Sequence, residues 1–306
     1  MGRAASFLAA LALPVLVASA ERNESIAKQA AAKEGKVVVV DVGSLDVAVR
    51  SSAIDEIRVD VELACAGFAE KAVEAWMAAH RPEFEDSAER FRITSGGSRS
   101  PLFRGVVVTK ARMRLVVPPY VRLDLTTGSG NITVEGEFPG SRPLRLRSAS
   151  GELELLGWAP EVEARSTSGD IRLRLPKPVE AVLVRTSSGD VELTGGAKTL
   201  RCDTSSGELR AVGLLGSAGI ATTSGDVSLS FDALPPEAEV RVTTTSGRVR
   251  LLLPPGSKPG GEVQSARGEI RSAYPGQTSG KGGRLLLEGP GPKLLVSTTS
   301  GRVELY

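Results

Sequence analysis

The chain is poor in the residues that most often do chemistry. Its 306 residues include one histidine, His80, and two cysteines, Cys65 and Cys202. That inventory leaves almost nothing for a His/Cys metal centre or a histidine acid–base relay. Aromatic residues are 4% of the chain, with two Trp and three Tyr, so stacking platforms for sugars or bases are scarce. The net charge of +2 is too even for the concentrated basic face that nucleic acid requires. No nucleic-acid partner and no cofactor are expected. After the N-terminus no run of 18 consecutive apolar residues occurs, so the mature chain is read without a membrane span.

The one apolar run stands at the start. Arg3 precedes "FLAALALPVLVA", Phe7 to Ala18, and Ala18-Ser19-Ala20 follows as an A-x-A site. This reads as an export signal over residues 1–20; the run is short for a membrane span. No cysteine follows the site, so no lipid anchor is expected there. Residues 21–35, polar and Ala-rich, read as a linker. The expected location is periplasm, cell envelope or extracellular space.

What the chain has in quantity is glycine, 34 residues, and much of it is periodic. "RSTSGDIRL", "RTSSGDVEL", "CDTSSGELR", "ATTSGDVSL", "VTTTSGRVR" and "VSTTSGRVEL" share one motif. Its glycines are Gly130, Gly151, Gly169, Gly189, Gly207, Gly225, Gly247, Gly268 and Gly301, with successive gaps of 21, 18, 20, 18, 18, 22, 21 and 33. A period near 20 marks a stacked repeat, and this one suits one turn of a β-solenoid.

The columns assign faces. Five residues before each glycine stands an apolar side chain, as in Val184, Cys202 and Ile220. Three before it stands a hydroxyl, as in Thr186, Thr204 and Thr222. Two after it stands an aliphatic residue, as in Val191, Leu209 and Val227. Alternation at period two on both sides of the glycine means two short strands per coil. Inward positions change parity at Ser-Gly, which a straight strand cannot do; the pair is therefore a corner, with glycine tolerating its backbone angles. The hydroxyls are expected to bond backbone at the bend. The fold class that follows is all-β: a parallel β-solenoid (β-helix or β-roll) of about 20 residues per coil, right-handed by the crossover rule. Nine coils spaced as strands in a sheet would make a rod roughly 40 Å long.

Residues 119–306 read as the solenoid and 36–118 as a less regular N-terminal β region. In that region "VVVVDVGSLDVAV" is a degenerate coil, with Gly43 followed by Leu45 and Val47. A capping helix is expected over 68–79, with Phe68, Ala72, Trp76 and Ala79 along one stripe. The chain ends at Tyr306 on a strand, which offers an edge for self-association.

Few positions invite chemistry. The residues after the corner form an acidic column, Glu152, Asp170, Asp190, Glu208 and Asp226. Stacked carboxylates could hold a divalent cation, but the β-roll signature G-G-x-G-x-D is absent, and the bland reading is a solvated column bonded by turn amides. Three residues after the glycine, Glu154, Arg172, Glu192 and Arg210 alternate in sign, as favourable neighbours should. A glycosidase or polysaccharide lyase is the enzymatic alternative, with Asp170, Asp190 and Asp226 as carboxylates by spacing; each follows equally from the repeat. His80 reads as a cap residue. Cys65 and Cys202 read as small buried hydrophobes, although the compartment would allow a disulfide. "GKGG", Gly280 to Gly283, lacks the P-loop spacing.

The "TSSGDVEL" coils, the export signal and the closing "LLVSTTSGRVEL" together resemble the bacterial putative-adhesin family of domains of unknown function, which includes relatives in cell-envelope stress operons. The resemblance spans roughly residues 36–306 and is strongest from 119 onward. It implies a secreted or envelope-attached β-solenoid without known catalytic residues. The helix over 68–79 and the lack of a membrane anchor depart from the family pattern. The expected role is a non-enzymatic adhesin or envelope scaffold whose partner is a polysaccharide or another envelope protein. The alternatives are the carbohydrate-active enzyme and an accessory protein of envelope-stress signalling.

Overall fold

Strands that alternate inward and outward on either side of a repeated corner must build two sheets, one from each side. That is the arrangement found. The computed structural model describes residues 20–96, 105–279 and 283–306. The expected export signal lies outside these residues except for Ala20, as do residues 280–282 of the GKGG loop.

The N-terminal part runs β1 (Ala20–Ala31), β2 (Val37–Val42), β3 (Asp46–Ser51), β4 (Glu56–Gly67), α1 (Glu70–His80), β5 (Glu83–Asp86), β6 (Arg90–Thr94) and β7 (Val106–Val117). The coils follow as strand pairs about each corner. They are β8 (Arg122–Thr127) with β9 (Ile132–Glu137), β10 (Leu144–Ser148) with β11 (Leu153–Trp158), and β12 (Glu161–Arg165) with β13 (Ile171–Arg174). Next come β14 (Val179–Arg185) with β15 (Val191–Thr194), β16 (Ala197–Asp203) with β17 (Leu209–Leu214), and β18 (Ser217–Ala221) with β19 (Val227–Phe231). The last part holds β20 (Glu239–Thr244) with β21 (Val249–Leu252), β22 (Gly260–Ser265) with β23 (Ile270–Ser272), the hairpin β24 (Gly276–Ser279) and β25 (Gly283–Glu288), and β26 (Lys293–Thr298) with β27 (Val303–Leu305).

Among the described residues these strands form a 14-stranded sheet containing the strands before each corner and a 13-stranded sheet containing those after it. The coils pair in parallel. Val184 stands beside Cys202 and Cys202 beside Ile220 in one interior row, while Val191, Leu209 and Val227 make the matching row in the other sheet. All of these side chains are buried in one continuous apolar core. The chain is thus a β-solenoid whose two sheets close on a single seam of Val, Leu and Ile.

The corner glycines are demanded mainly by close approach. A Cβ at Gly151, Gly169, Gly207, Gly225 or Gly247 would overlap the carbonyl oxygen of the preceding corner glycine. Only Gly189, Gly207, Gly225 and Gly247 also have positive φ, between 117 and 131°. The hydroxyl column divides along the same line. At those four corners Thr186, Thr204, Thr222 and Thr244 donate to the carbonyls of Ser188, Ser206, Ser224 and Ser246 at 3.0–3.2 Å. At the other five the hydroxyls of Thr127, Ser148, Ser166, Ser265 and Thr298 accept the N–H of the glycine itself at 2.8–3.1 Å. One column thus serves two corner geometries, because a hydroxyl both donates and accepts.

Four expectations need correction. Residues 21–35 are not a linker: β1 runs antiparallel to the whole of β4, from Ala20 beside Gly67 to Ala31 beside Glu56. Its apolar inward residues are only Ala20, Ile26 and Ala30, so an edge strand held by backbone bonds carries little apolar signal. In the first coil the corner position belongs to Leu45, not Gly43. Val42 is in register with Thr127 and Val47 with Ile132, which puts Gly130 against Leu45. The helix starts at Glu70, and its buried face is Val73, Trp76, Met77 and His80. Ala69 and Phe68 remain extended or bent beyond β4, and Ala72 and Ala79 flank the buried face.

The fourth correction concerns the last coil. The terminal strand is not an edge. β26 lies between β20 and β22, and β27 lies between β21 and β23. The coil of Gly301 is therefore inserted between those of Gly247 and Gly268, and self-association through β27 is blocked on both sides. The charges suit the inserted order. Stacked in sequence, Arg250 would stand beside Arg271; the insertion gives Arg250, Glu304 and Arg271 on consecutive rungs. Glu304 is buried and accepts from both Nε and Nη2 of Arg250 at 3.1 and 3.0 Å.

Two stability measurements test these assignments. Gly207→Ala should cost more than about 2 kcal/mol in thermal or urea unfolding, since the corner has neither the space nor the φ for a side chain. Gly219→Ala, one coil on, should be neutral or stabilising by up to about 1 kcal/mol, because neither crowding nor positive φ applies there. Glu304→Gln should cost about 1–3 kcal/mol by removing the buried carboxylate that Arg250 is bonded to, whereas Glu180→Gln, removing an exposed partner of Lys198, should stay within about 0.5 kcal/mol. Equal losses for the two Glu variants would contradict the inserted-coil account.

Candidate functional site

The acidic column is brought together by the stack, one residue per rung, at the foot of the post-corner strands. Its short members are engaged by backbone. Asp170 Oδ1 accepts the N–H of Asp190 at 3.0 Å, Asp190 Oδ1 that of Glu208 at 2.8 Å, and Asp226 Oδ1 that of Arg248 at 2.7 Å. Asn131 and Asp46 do the same two and three coils before Asp170, for the N–H groups of Glu152 and Asn131 at 2.9 Å each. The column is a ladder in which each Asp or Asn satisfies the first amide of the next coil, so a neutral Asn fits it as well as an Asp. The Glu members behave differently: Glu152 is paired with Arg172, which also reaches Asp170 at 3.2 Å.

The alternating column is in register as expected, Glu154 beside Arg172, Arg172 beside Glu192 and Glu192 beside Arg210. Its ion pairs nevertheless run diagonally. Arg172 turns toward the acidic column, and Arg174 takes Glu154 at 3.0 Å. Arg172 thereby offsets the like-charge repulsion the acidic column would suffer alone. The depression here, about 210 Å³, is lined by both signs: Asp170, Asp190, Glu192 and Glu208 with Arg172 and Arg210.

This geometry gives little to a catalyst. A glycosidase acid must hold a proton near neutral pH in an apolar setting. Asp170, Asp190 and Asp226 instead accept backbone N–H bonds at a solvent-facing corner. Among the described residues no group of three or more His, Cys, Asp or Glu is arranged to hold a metal ion. Both tryptophans are engaged: Trp76 is buried, and Trp158 donates to the Pro178 carbonyl at 3.0 Å with Lys177 over its ring. His80 is buried at the end of α1, stacked on Trp76, with Nδ1 2.8 Å from the Trp76 carbonyl. Burial holds its pKa below the ordinary imidazole value, against the upward pull of that hydrogen bond. Cys65 and Cys202 are free and buried, and burial, with a smaller contribution from Asp203, pushes the Cys202 thiol up to about 12.

The feature that sequence reading missed lies on the outer face of the pre-corner sheet. Strands β16 and β20 carry Arg201, Asp203, Glu239 and Arg241 outward, whereas β18 between them presents Ser217, Gly219 and Ala221. The result is a groove of about 410 Å³. Its walls are organised: Arg201 pairs with Asp203 at 3.4 Å and Arg241 with Glu239 at 2.8 Å, each along its own strand. Thr199 and Thr243 add hydroxyls to the rim. The signal was present in "GSAGIA", whose outward positions lose every large side chain for one coil only. It was obscured because Gly219 was read beside so many glycines with structural duties.

The ladder makes its own prediction. Asp190→Asn keeps an acceptor for the Glu208 amide and should change stability by less than about 0.5 kcal/mol, while Asp190→Ala should cost about 1 kcal/mol. Paired urea titrations check this. A large loss for Asn would mean that the charge of Asp190, not its acceptor, is what the coil requires.

None of the curated proteins matches the chain. Among solved structures, a putative adhesin from Bacteroides fragilis is similar at 12% identity and a TM-score of 0.45, covering 92% of this chain and 97% of that one. A putative adhesin from Parabacteroides distasonis gives 14% identity and 0.44, with 92% and 97% covered. A putative lipid binding protein from the same species gives 11% and 0.38, with 92% and 96% covered. The Toastrack DUF4097 family model matches residues 108–196 and again 179–305, the two matches together covering the coils from β8 onward and more than half of the chain, so the chain belongs to the Toastrack DUF4097 family.

Proposed function

We propose that the protein is an exported, non-catalytic binding protein of the cell envelope, adhesin-like in role, which uses the groove over β18 to hold saccharide units of an envelope polysaccharide. The observation that carries this reading is Gly219. A glycine in a strand interior weakens the strand unless a turn, a bulge or the close approach of another molecule requires it. Here neither φ nor crowding requires it, and its effect is to open the groove floor.

The chemistry of the walls supports a sugar. Two Arg–carboxylate pairs and three hydroxyls offer donors and acceptors side by side, and their charges cancel. Such an array suits neutral hydroxyls better than a single-sign ligand. The solenoid supplies rigidity, because each groove residue sits on a strand paired on both sides. Export is supported by the residue pattern of positions 1–20. Among the described residues no helix is long and apolar enough to cross a membrane.

Binding of the purified protein to an array of bacterial envelope glycans tests the reading. The protein should retain a defined subset, and Gly219→Trp, which fills the groove from an uncrowded position, should abolish retention while leaving the melting temperature within a few degrees. Retention unchanged in a folded Gly219→Trp protein would overturn the groove assignment, and no retention by the unaltered protein would overturn the polysaccharide assignment.

A further inference from the structure

The outward residues of the groove stand in three levels. At the first, Thr199 is beside Ser217, whose Oγ accepts the N–H of Glu239 at 3.2 Å. At the second, Arg201 and Arg241 stand on either side of Gly219. At the third, Asp203 and Thr243 stand on either side of Ala221. Each carboxylate is therefore opposite a threonine, and the two carboxylates close opposite ends of the groove. Only the two guanidiniums share a level, and they share it across the one residue without a side chain.

The strands that carry them, β16 and β20, are two rungs apart, about 10 Å by strand spacing. Like charges so placed are only partly relieved by their own strands. Asp203, which Arg201 meets at 3.4 Å, also serves Arg185 of β14 at 3.5 Å. Three guanidiniums thus divide two carboxylates, Asp203 and Glu239, and the centre of the groove keeps a surplus of one positive charge. That charge is accessible, since the side chains of Arg201 and Arg241 are 65 and 57% exposed. Arg241 gives Nε and Nη2 to Glu239 and Arg201 reaches Asp203 through Nε, which leaves Nη donors on both for a ligand.

We propose that the groove takes a uronic acid unit flanked by neutral sugars, with the pendant carboxylate over Gly219 between Arg201 and Arg241. The assignment rests on the reading of the groove as a saccharide site and names the sugar it selects. A surplus of one guanidinium calls for one anion, and a guanidinium fork matches a carboxylate at both of its oxygens. A pendant carboxylate descends to the glycine floor while its ring stays at the height of the walls; a phosphodiester lies within the chain and cannot descend alone. The ends of the groove set the neighbours. Strand residues two apart are separated by about 7 Å, so a second acidic unit on either side would approach Glu239 or Asp203. Neutral units meet those carboxylates as acceptors for their hydroxyls, together with the hydroxyls of Thr199, Ser217 and Thr243.

The test uses the glycans that the unaltered protein retains on the array, each before and after carboxyl reduction, which turns a uronic acid into the matching neutral hexose and keeps every linkage. The retained set should carry isolated uronic acids, and reduction should lower retention about tenfold or more. Arg201→Gln and Arg241→Gln should each do the same to the unreduced glycans, while Arg174→Gln, on the other sheet, should leave retention unchanged; the melting transition should be kept in all three. Asp203→Asn combined with Glu239→Gln should admit glycans with consecutive uronic acids. Retention that survives carboxyl reduction or both arginine variants, or a retained set that carries phosphodiesters and no uronic acid, overturns the acidic-sugar assignment; loss of the same retention in Gly219→Trp would then still uphold the groove as a saccharide site. Continued rejection of consecutively acidic glycans by the double variant overturns the role given to the two end carboxylates. Retention unchanged in a folded Gly219→Trp protein, or absent altogether, removes the groove reading and this assignment with it, so the two failures are told apart.

Discussion

The structure depends on how closely one coil can lie on the next at the corner. The corner glycines are stacked so that each Cα hydrogen faces the preceding corner's carbonyl, leaving no room for a Cβ. That contact fixes the register of both sheets at once, because the strands on either side of a corner are short and cannot slip independently. A one-residue slip in any strand would turn its buried row outward. The glycine column therefore acts less as a set of flexible joints than as a set of stops. Positive φ at four of its members is a secondary adjustment, and the hydroxyl three residues earlier changes its bonding to suit.

Once register is fixed at the corner, side chains near it can bond from rung to rung. The ladder of Asp46, Asn131, Asp170, Asp190 and Asp226 arises this way: each oxygen finds the first amide of the next coil because that amide is always in the same place. The amide just past the corner glycine finds no backbone carbonyl there and would otherwise bond only to water. The acidic column thus has a structural cause sufficient for its existence, with Arg172 relieving its repulsion. The same regularity allowed the final coil to enter out of order. Every coil offers nearly the same upper and lower surface, so shape alone does not decide which one follows Gly247. Charge favours the order found, by setting Glu304 between Arg250 and Arg271.

Much of the architecture was legible in the sequence because a solenoid turns a one-dimensional period into neighbours in space. The interior row of Val184, Cys202 and Ile220, the two strands per coil and the Ser-Gly corner all follow from column chemistry. The misreadings share one cause: they fall where the period carries no information. β1 is an edge strand whose stability comes from backbone pairing with β4, so its composition resembles a linker. Leu45 occupies a corner position at the beginning of the stack, where the sequence offers a nearby Gly43 that fits the pattern better. The order of the last coils is invisible to a period, since swapping two equivalent coils leaves every column intact. The helix start was misplaced because Phe68 has the apolarity of a helix face but lies exposed at the bend between β4 and α1.

The groove over β18 was missed for the opposite reason, since it is an interruption of pattern on the face that pattern does not constrain. Inward positions are fixed by the core and corner positions by backbone contact. The outward positions of the pre-corner sheet answer to neither. Across successive coils that face carries Asp124, Arg145, Glu163, Leu183, Arg201, Gly219 and Arg241 at one equivalent position, a range of size and charge the buried rows never show. In a fold held by such a narrow set of contacts, these outward positions are where recognition can vary without disturbing the stack. A glycine there has no packing or conformational reason, whereas a glycine at the corner has both. That distinction separates Gly219 from Gly207, although the two stand only twelve residues apart and the sequence writes them with the same letter.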